Sequence, residues 1–403
     1  MLWDIPIETA YLPVIVTLLR KATVLHPYAV KNWQTLASQL LRTGEVQEAI
    51  TVLTKAVSKL PAEPALHLML AYAHYRARRS DLAQETLHQA PPVPSDDREL
   101  NIFRLELVMK TRAMKDVAQV ATEMLALDPT NRDALAALEV ISREKRNPEI
   151  MIPVCQAALK LEPGHTRARY QLAVANAMLG RPEEARQLID LHQFVAVTEV
   201  ATPLGYVNAE AFEAAIAGEI TRNPTLKLDP IDTATRGGFQ TSLFPQPGDR
   251  ATVILLSLIR SAIDAFEASL PTGLDHPFVE KRPKRARLES WAVVYPSDGR
   301  QTSHIHPDGW LSGVYYVSAP KTSCDDQRSG CLVLGALDLK GLSVDPPWGT
   351  RDVHPAPGRL ILFPSYIPHA VIPTQSADAR ICIAFDVVPS RLHRTLGYTV
   401  EAE

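Results

Sequence analysis

The chain has 403 residues, 46% apolar and 22% charged, which is enough for two or three folded domains and excludes a disordered or fibrous protein. Lys and Arg (42) nearly balance Asp and Glu (45), for a net charge of −3, so no global positive field favours nucleic acid as a partner. No apolar run approaches the roughly 20 residues of a membrane span.

Cys155, Cys324, Cys331 and Cys382 form no C-x-x-C pair, so they build neither a disulfide framework nor a zinc ribbon. The opening Met1-Leu-Trp-Asp-Ile-Pro lacks the charge order of a secretory signal. The expectation is an unprocessed cytoplasmic protein that binds neither nucleic acid nor membrane.

Residues 1–29 contain the apolar segment from Tyr11 to Leu19, predicted to form a helix that covers the segment beginning at Val30. From Val30 to residue 194 a period of 34 residues can be laid over the chain. The first unit places Trp33, Leu36, Ala37, Leu40, Ala49, Leu53, Ala56 and Pro61 at fixed positions. Units starting at Pro64, Arg98, Arg132 and Thr166 repeat that pattern with, for example, Leu70 and Ala71, Val117 and Ala121, Leu135 and Cys155, and Leu172 and Ala173. Small Ala side chains let two antiparallel helices approach, and larger Leu or Trp fill the groove beside them. The segment resembles the tetratricopeptide repeat. That resemblance implies an α-solenoid of five units whose concave surface binds a protein or peptide. Arg104, Glu139 and Ser142 depart from the pattern, occupying places that usually hold apolar or small residues.

Past Leu191 the helical rhythm fades, and Pro, Gly and Thr become frequent from Thr202 to Asp249, which puts a domain boundary near residue 195. A helix is predicted from Ala251 to Leu270, with Val253, Leu255, Leu256, Ile259, Ile263 and Phe266 on one broad face. The basic run Lys281 to Arg287 reads as a solvated loop. From Leu288 onward come short β-type runs: Ser290–Tyr295, Thr302–His306, Leu311–Ser318, Gly330–Leu334, Arg359–Phe363, Ala370–Pro373 and Arg380–Val388. Seven such strands suggest a closed barrel or a two-sheet jelly roll.

On a strand, His304 and His306 project from one face and can present two imidazoles to one ion. His369 is a third candidate, in a Pro-bounded turn just past a strong strand. Arg380 opens the last strand, where its same-face neighbours Cys382 and Ala384 are small enough to let a charged head reach a cavity. His354 reads as a surface residue, Cys324 and Cys331 as structural, and Asp325-Asp326 as a solvated turn.

The segments His304-Ile-His306-Pro, Leu311-Ser-Gly-Val-Tyr-Tyr316, Gly330-Cys-Leu332, Gly358-Arg-Leu-Ile-Leu-Phe-Pro-Ser365, His369 and Arg380 together resemble a bacterial group of iron(II)- and 2-oxoglutarate-dependent oxygenases. Tyr295-Pro-x-x-Gly299 is similar to the strand before the metal motif of prolyl hydroxylases. The resemblance implies a double-stranded β-helix (jelly roll) with flanking helices over residues 195–403, its core strands at about 288–390, taking Fe(II), 2-oxoglutarate as cosubstrate and O2. It implies His304, His306 and His369 as metal ligands and Arg380 as the bidentate partner of the distal 2-oxoglutarate carboxylate. Tyr316 and Tyr295 are implied to hydrogen-bond the cosubstrate.

One departure stands out: the superfamily motif is His-x-Asp or His-x-Glu. Either His306 replaces the carboxylate, or the frame slides to His306-Pro-Asp308 and Asp308 becomes the ligand. The first frame is favoured, because the second leaves only Gly309-Trp310 before the next strand. Three imidazoles would also accept zinc. The expected activity is hydroxylation of a protein or peptide recruited by the repeats. The opposing expectation is a silent ligand-binding scaffold in which the repeats do the work.

Overall fold

The computed structural model describes residues 12–230, 233–271, 273–296, 298–320, 328–338, 345–373, 376 and 378–390. Cys324, Asp325 and Asp326 lie outside the described residues. The chain divides into two compact units, Met1–Asn147 and Pro148–Glu403.

The first unit is helical: α1 (Leu12–Leu25), α2 (Val30–Thr43), α3 (Val46–Lys59), α4 (Pro64–Arg76), α5 (Ser80–Gln89), α6 (Arg98–Lys110), α7 (Met114–Leu127) and α8 (Arg132–Glu144). Successive helices pack on each other up to α5, then α6 packs on α4 and α7, and α7 on α8. Trp33, Leu36, Ala37, Leu40, Ala49, Leu53 and Ala56, which mark the repeat in the sequence, are all buried. Each buried Leu contributes about 1.5–3 kcal/mol, and the alanines leave room for helices to touch. In α1, Val16 joins this core.

The period also appears in the backbone. Gly44, Arg78, Arg112 and Arg146, each 34 residues after the last, are left-handed, with φ of 87°, 60°, 56° and 49°. Glycine adopts that conformation freely, whereas arginine pays roughly 1–2 kcal/mol for it. Asp97 and Asn131 cap α6 and α8, accepting hydrogen bonds from Leu100 N at 3.0 Å and Ala134 N at 2.9 Å. The departures from the pattern are accommodated. Arg104 pairs with Glu123 at 2.9 Å, and the Ser142 hydroxyl donates to Asn147 O at 3.0 Å.

The second unit begins with a 3-10 turn (Pro148–Ile150), then α9 (Met151–Leu161), α10 (Thr166–Met178) and α11 (Pro182–Arg186). Ala173, Val174, Ala177 and Ala185 share one apolar core with Phe194, Leu311, Val314 and Ile383. The sequence rhythm changes near Leu191, but the compact unit starts earlier, because α10 turns its apolar face and its polar groups toward the β-rich part. The buried Thr166 hydroxyl donates to Gly309 O at 2.8 Å.

The chain continues through β1 (Ala196–Glu199), α12 (Ala209–Thr221), β2 (Lys227–Leu228), β3 (Thr235–Arg236), β4 (Phe239–Gln240), α13 (Arg250–Ser269) and α14 (Pro277–Glu280). Helix α12 packs on α13, and Glu219 caps α13 by accepting from Arg250, Ala251 and Thr252 backbone N–H groups. Leu255, Leu256, Ile259, Ile263 and Phe266 are buried as expected, but Val253 is exposed and Thr252 is buried instead. At 100° per residue the apolar stripe runs through 252, 256, 259 and 263, and Val253 falls beside it. Residues 281–285 of the basic run connect α14 to the next strand, which takes in Arg287.

Eight further strands complete the unit: β5 (Ala286–Tyr295), β6 (Arg300–His304), β7 (Leu311–Ser318), β8 (Leu332–Leu334), β9 (Arg351–Val353), β10 (Arg359–Pro364), β11 (His369–Val371) and β12 (Arg380–Pro389). They form two antiparallel sheets, β1-β10-β7-β12-β5-β4-β2 and β3-β6-β11-β8-β9. Residues of both sheets line one cavity, so the arrangement is a jelly roll. Gly313 on β7 lies opposite Phe385 on β12, and any Cβ there would collide with the Phe385 ring. Strands β1 to β4 and β9, each of two to four residues, are not among the seven runs expected from the sequence. Among the described residues no helix is long and apolar enough to cross a membrane.

Candidate metal centre

His304 closes β6 and His369 opens β11, and the two are register partners on adjacent antiparallel strands. Their rings therefore share the inner face, with centroids 4.3 Å apart. His306 is not on the strand, which stops at His304, ahead of the turn at Pro307 and Asp308. Its backbone N–H still donates to Ser365 O at 3.1 Å, and the Trp291 ring stacks on it at 5.5 Å. The three side chains bring nitrogen atoms within 4.8 Å of one another, the kind of group that could hold a metal ion.

The far side of each ring decides which nitrogen faces inward. His304 Nδ1 lies 2.8 Å from Thr302 O, His306 Nδ1 2.7 Å from Asp386 Oδ2, and His369 Nδ1 3.1 Å from Ile367 O. Carbonyl and carboxylate oxygens only accept, so each Nδ1 carries a proton, and a ring that holds a single proton keeps its lone pair on Nε2. His306 Nε2 and His369 Nε2 are 3.2 Å apart. At that separation the two nitrogens either share a proton or, as two lone pairs, need a cation between them. Nitrogens each about 2.0–2.1 Å from one divalent ion sit roughly 3 Å apart, so the donor set fits a metal. Burial, reinforced by His306, lowers the His304 imidazole to about 3. Burial, then His304 and His306, hold His369 well below its ordinary value. Both rings are neutral, as ligands must be.

At the other end of the cavity Arg380 is 1% exposed. Its Nη1 donates to Gly330 O at 2.7 Å, and its guanidinium carbon lies 5.0 Å from the Tyr295 ring centre and 5.3 Å from that of Tyr316. Among the described residues no carboxylate pairs with it, and Arg380 Nε, Tyr295 Oη and Tyr316 Oη are buried without hydrogen-bond partners. A buried guanidinium with no carboxylate partner among the described residues, beside two hydroxyls without hydrogen bonds, is the kind of group that could take an anion.

Residues 289–386 match the family model described as "Putative 2OG-Fe(II) oxygenase", and residues 40–103 and 152–194 match a tetratricopeptide-repeat model. The chain carries tetratricopeptide repeats and a 2OG-Fe(II) oxygenase domain. Among solved structures, a prolyl-4-hydroxylase from Pseudomonas putida is 19% identical, covering 50% of this chain and 95% of its own, with a TM-score of 0.34. A prolyl hydroxylase from Trichoplax adhaerens, solved with a hypoxia inducible factor peptide fragment, is 15% identical and covers 55% and 90%, also at 0.34. YrrB, a tetratricopeptide-repeat protein with an unusual peptide-binding site, is 14% identical and covers 42% and 88%, at 0.34. No curated protein matches the chain.

Within the matched domain, the structure brings His304, His306 and His369 to one end of the cavity and Arg380 and Tyr316 to the other, with Tyr295 beside Arg380 but outside the cavity lining. Asp308 stands in the turn after His306, outside the three-histidine group. The carboxylate near the site is Asp386, which sequence reasoning missed. It is buried, and its Oδ1 accepts from Ser312 Oγ at 2.6 Å, which in turn lies 2.8 Å from Ser365 Oγ. The signal was available: Arg380, Cys382, Ala384 and Asp386 alternate onto one face of β12. Burial, with smaller effects from Arg380 and its neighbours, pushes the Tyr316 hydroxyl up to about 12, so it stays protonated and able to donate. His354 is exposed, with Nδ1 3.2 Å from Cys331 Sγ. Cys155, Cys331 and Cys382 are buried and form no disulfide among the described residues.

Proposed function

We propose that this chain is an Fe(II)- and 2-oxoglutarate-dependent dioxygenase that hydroxylates a protein or peptide captured by its repeats. The observation that supports this reading is one cavity with a three-nitrogen donor set at one end and, at the other, a buried guanidinium with no carboxylate partner among the described residues. His304, His306 and His369 would hold Fe(II) through Nε2. Arg380 would take the far carboxylate of 2-oxoglutarate in two parallel hydrogen bonds, with the Tyr316 and Tyr295 hydroxyls donating beside it. When bound, Fe(II) supplies dioxygen activation coupled to decarboxylation of 2-oxoglutarate to succinate and CO2. The protein's own part is to orient and to keep water out, and Val293, Leu332 and Phe363 line the space between the two ends.

The repeats support a macromolecular substrate, since helix pairs of this kind present a broad side-chain surface rather than a small-molecule pocket. Two measurements test the reading. Anaerobic addition of Fe(II) and then 2-oxoglutarate should produce a weak visible charge-transfer band, and admission of air should release succinate. Full-length His369→Ala should capture the substrate protein from a lysate, and the captured protein should gain the mass of one oxygen when treated with the wild-type enzyme. Absence of both band and succinate counts against the enzyme.

A further inference from the structure

Three neutral imidazoles leave a divalent ion with its full double charge, whereas the commoner motif of this superfamily places a carboxylate on the metal itself. The carboxylate is present here, one residue removed. Asp386 Oδ2 lies 2.7 Å from His306 Nδ1, the ring position opposite the inward-facing Nε2. Asp386 is 8% exposed, so its charge is poorly screened by water. Its other oxygen is held by Ser312 Oγ at 2.6 Å, and Ser312 Oγ is 2.8 Å from Ser365 Oγ. The same Ser365 holds the His306 backbone through its carbonyl at 3.1 Å. His304 and His369 have backbone carbonyls behind them, at 2.8 and 3.1 Å. Among the described residues, His306 is therefore the one of the three rings that bonds to a carboxylate.

We infer that Asp386 is the positioning residue of the metal centre, supplying through the His306 ring the negative charge that the three-histidine set lacks. This rests on the reading of His304, His306 and His369 as metal ligands. Asp386 does two things that a neutral residue cannot do together. It accepts the Nδ1 proton, which keeps the Nε2 lone pair on the metal side, and it makes the imidazole a stronger donor by drawing on that proton. The network through Ser312 and Ser365 fixes the carboxylate so that it cannot rotate away. The single positive charge that remains would be matched by the near carboxylate of the cosubstrate, whose far carboxylate would face Arg380.

The test uses full-length metal-free protein and Co(II), whose visible bands report occupancy without turnover, with Fe(II) repeated anaerobically. Asp386→Asn keeps an accepting oxygen of the same shape and removes the charge. Its Co(II) affinity should fall about 10–100-fold, and Ser312→Ala, which only loosens the carboxylate, should lose less than about tenfold. A far-ultraviolet spectrum and melting midpoint taken alongside show whether each variant is folded. If wild type fails to bind Co(II), the ligand assignment fails first. If wild type binds and folded Asp386→Asn binds within twofold of it, the role assigned to Asp386 is wrong. An independent reading comes from nitrogen-15 spectra of the wild-type apo protein. His306 should carry its proton on Nδ1, and a dominant Nε2–H form overturns the inference even if Asp386→Asn does not fold.

Discussion

At the histidine end of the oxygenase cavity, each Nδ1 lies 2.7 to 3.1 Å from an oxygen acceptor. At the arginine end, Arg380 Nε and the Tyr295 and Tyr316 hydroxyls are buried and, among the described residues, have no hydrogen-bond partner. A buried polar group left unpaired costs about 1–3 kcal/mol, so the second arrangement is tolerable only in a site that a ligand completes. The contrast separates two ways of building affinity. On the proposed reading, the histidine end would be preorganised for a metal by the acceptors behind its rings, and the arginine end would hold its affinity for an anion as unmet hydrogen bonds.

The harshest way to break this contrast is His369→Ala. Loss of one of three donors should weaken Co(II) or Fe(II) binding by more than about 100-fold, beyond the effect of any supporting residue. Succinate release should vanish with it. Wild-type metal affinity in this variant would mean the lone pairs are not aimed at an ion. At the other end, Arg380→Lys keeps the charge and loses the planar fork, so 2-oxoglutarate affinity, measured by titrating the charge-transfer band, should fall about 10–100-fold. Metal affinity should stay put, and a parallel loss of both would join ends that the structure separates.

Acid sharpens the contrast next. His304 is lowered to about 3 and His369 well below its ordinary value, both chiefly by burial, while in the unfolded chain they take protons near 6.5. Between those values the unfolded chain binds more protons, so stability rises with pH there. The metal-free protein should therefore hold its full contribution above about pH 6.5 and lose up to about 1.4 kcal/mol per pH unit for each ring as the pH falls toward 3. Urea midpoints of metal-free protein at pH 7, 6 and 5 give the slope, and His369→Phe should make it shallower. An unchanged slope in that variant removes His369 from the account.

Much of this is legible in the amino-acid sequence alone. The repeats show there because their information is local: Trp33, Ala37, Leu53 and Ala56 mark one helix pair and recur. The same period hides the conformation of Arg78, Arg112 and Arg146, since arginine is not the residue a left-handed position advertises. His304, His306, His369 and Arg380 stand out by type and order. The strand is expected to run on to His306, yet it stops at His304. Asp386 escapes notice when the face is followed from Arg380 only as far as Ala384. The early start of the second unit, at Pro148, depends on contacts such as Thr166 to Gly309, 143 residues apart, which no local pattern encodes.

The smallest effect is also the most discriminating, because the two ends should respond with opposite signs. Ser312 is 1% exposed and its hydroxyl is bonded to Asp386, so Ser312→Ala leaves a buried carboxylate oxygen short of a donor and should destabilise the apo protein by about 1 kcal/mol. Tyr316 is equally buried, but its hydroxyl is idle, so Tyr316→Phe removes a cost rather than a bond. The apo protein should be unchanged or more stable by up to about 1 kcal/mol, while 2-oxoglutarate affinity drops about 5–10-fold, the value of one lost hydrogen bond. Unfolding midpoints with and without cosubstrate measure both. If Tyr316→Phe destabilises the apo protein as Ser312→Ala does, the hydroxyl has a structural partner and the arginine end is not waiting for an anion.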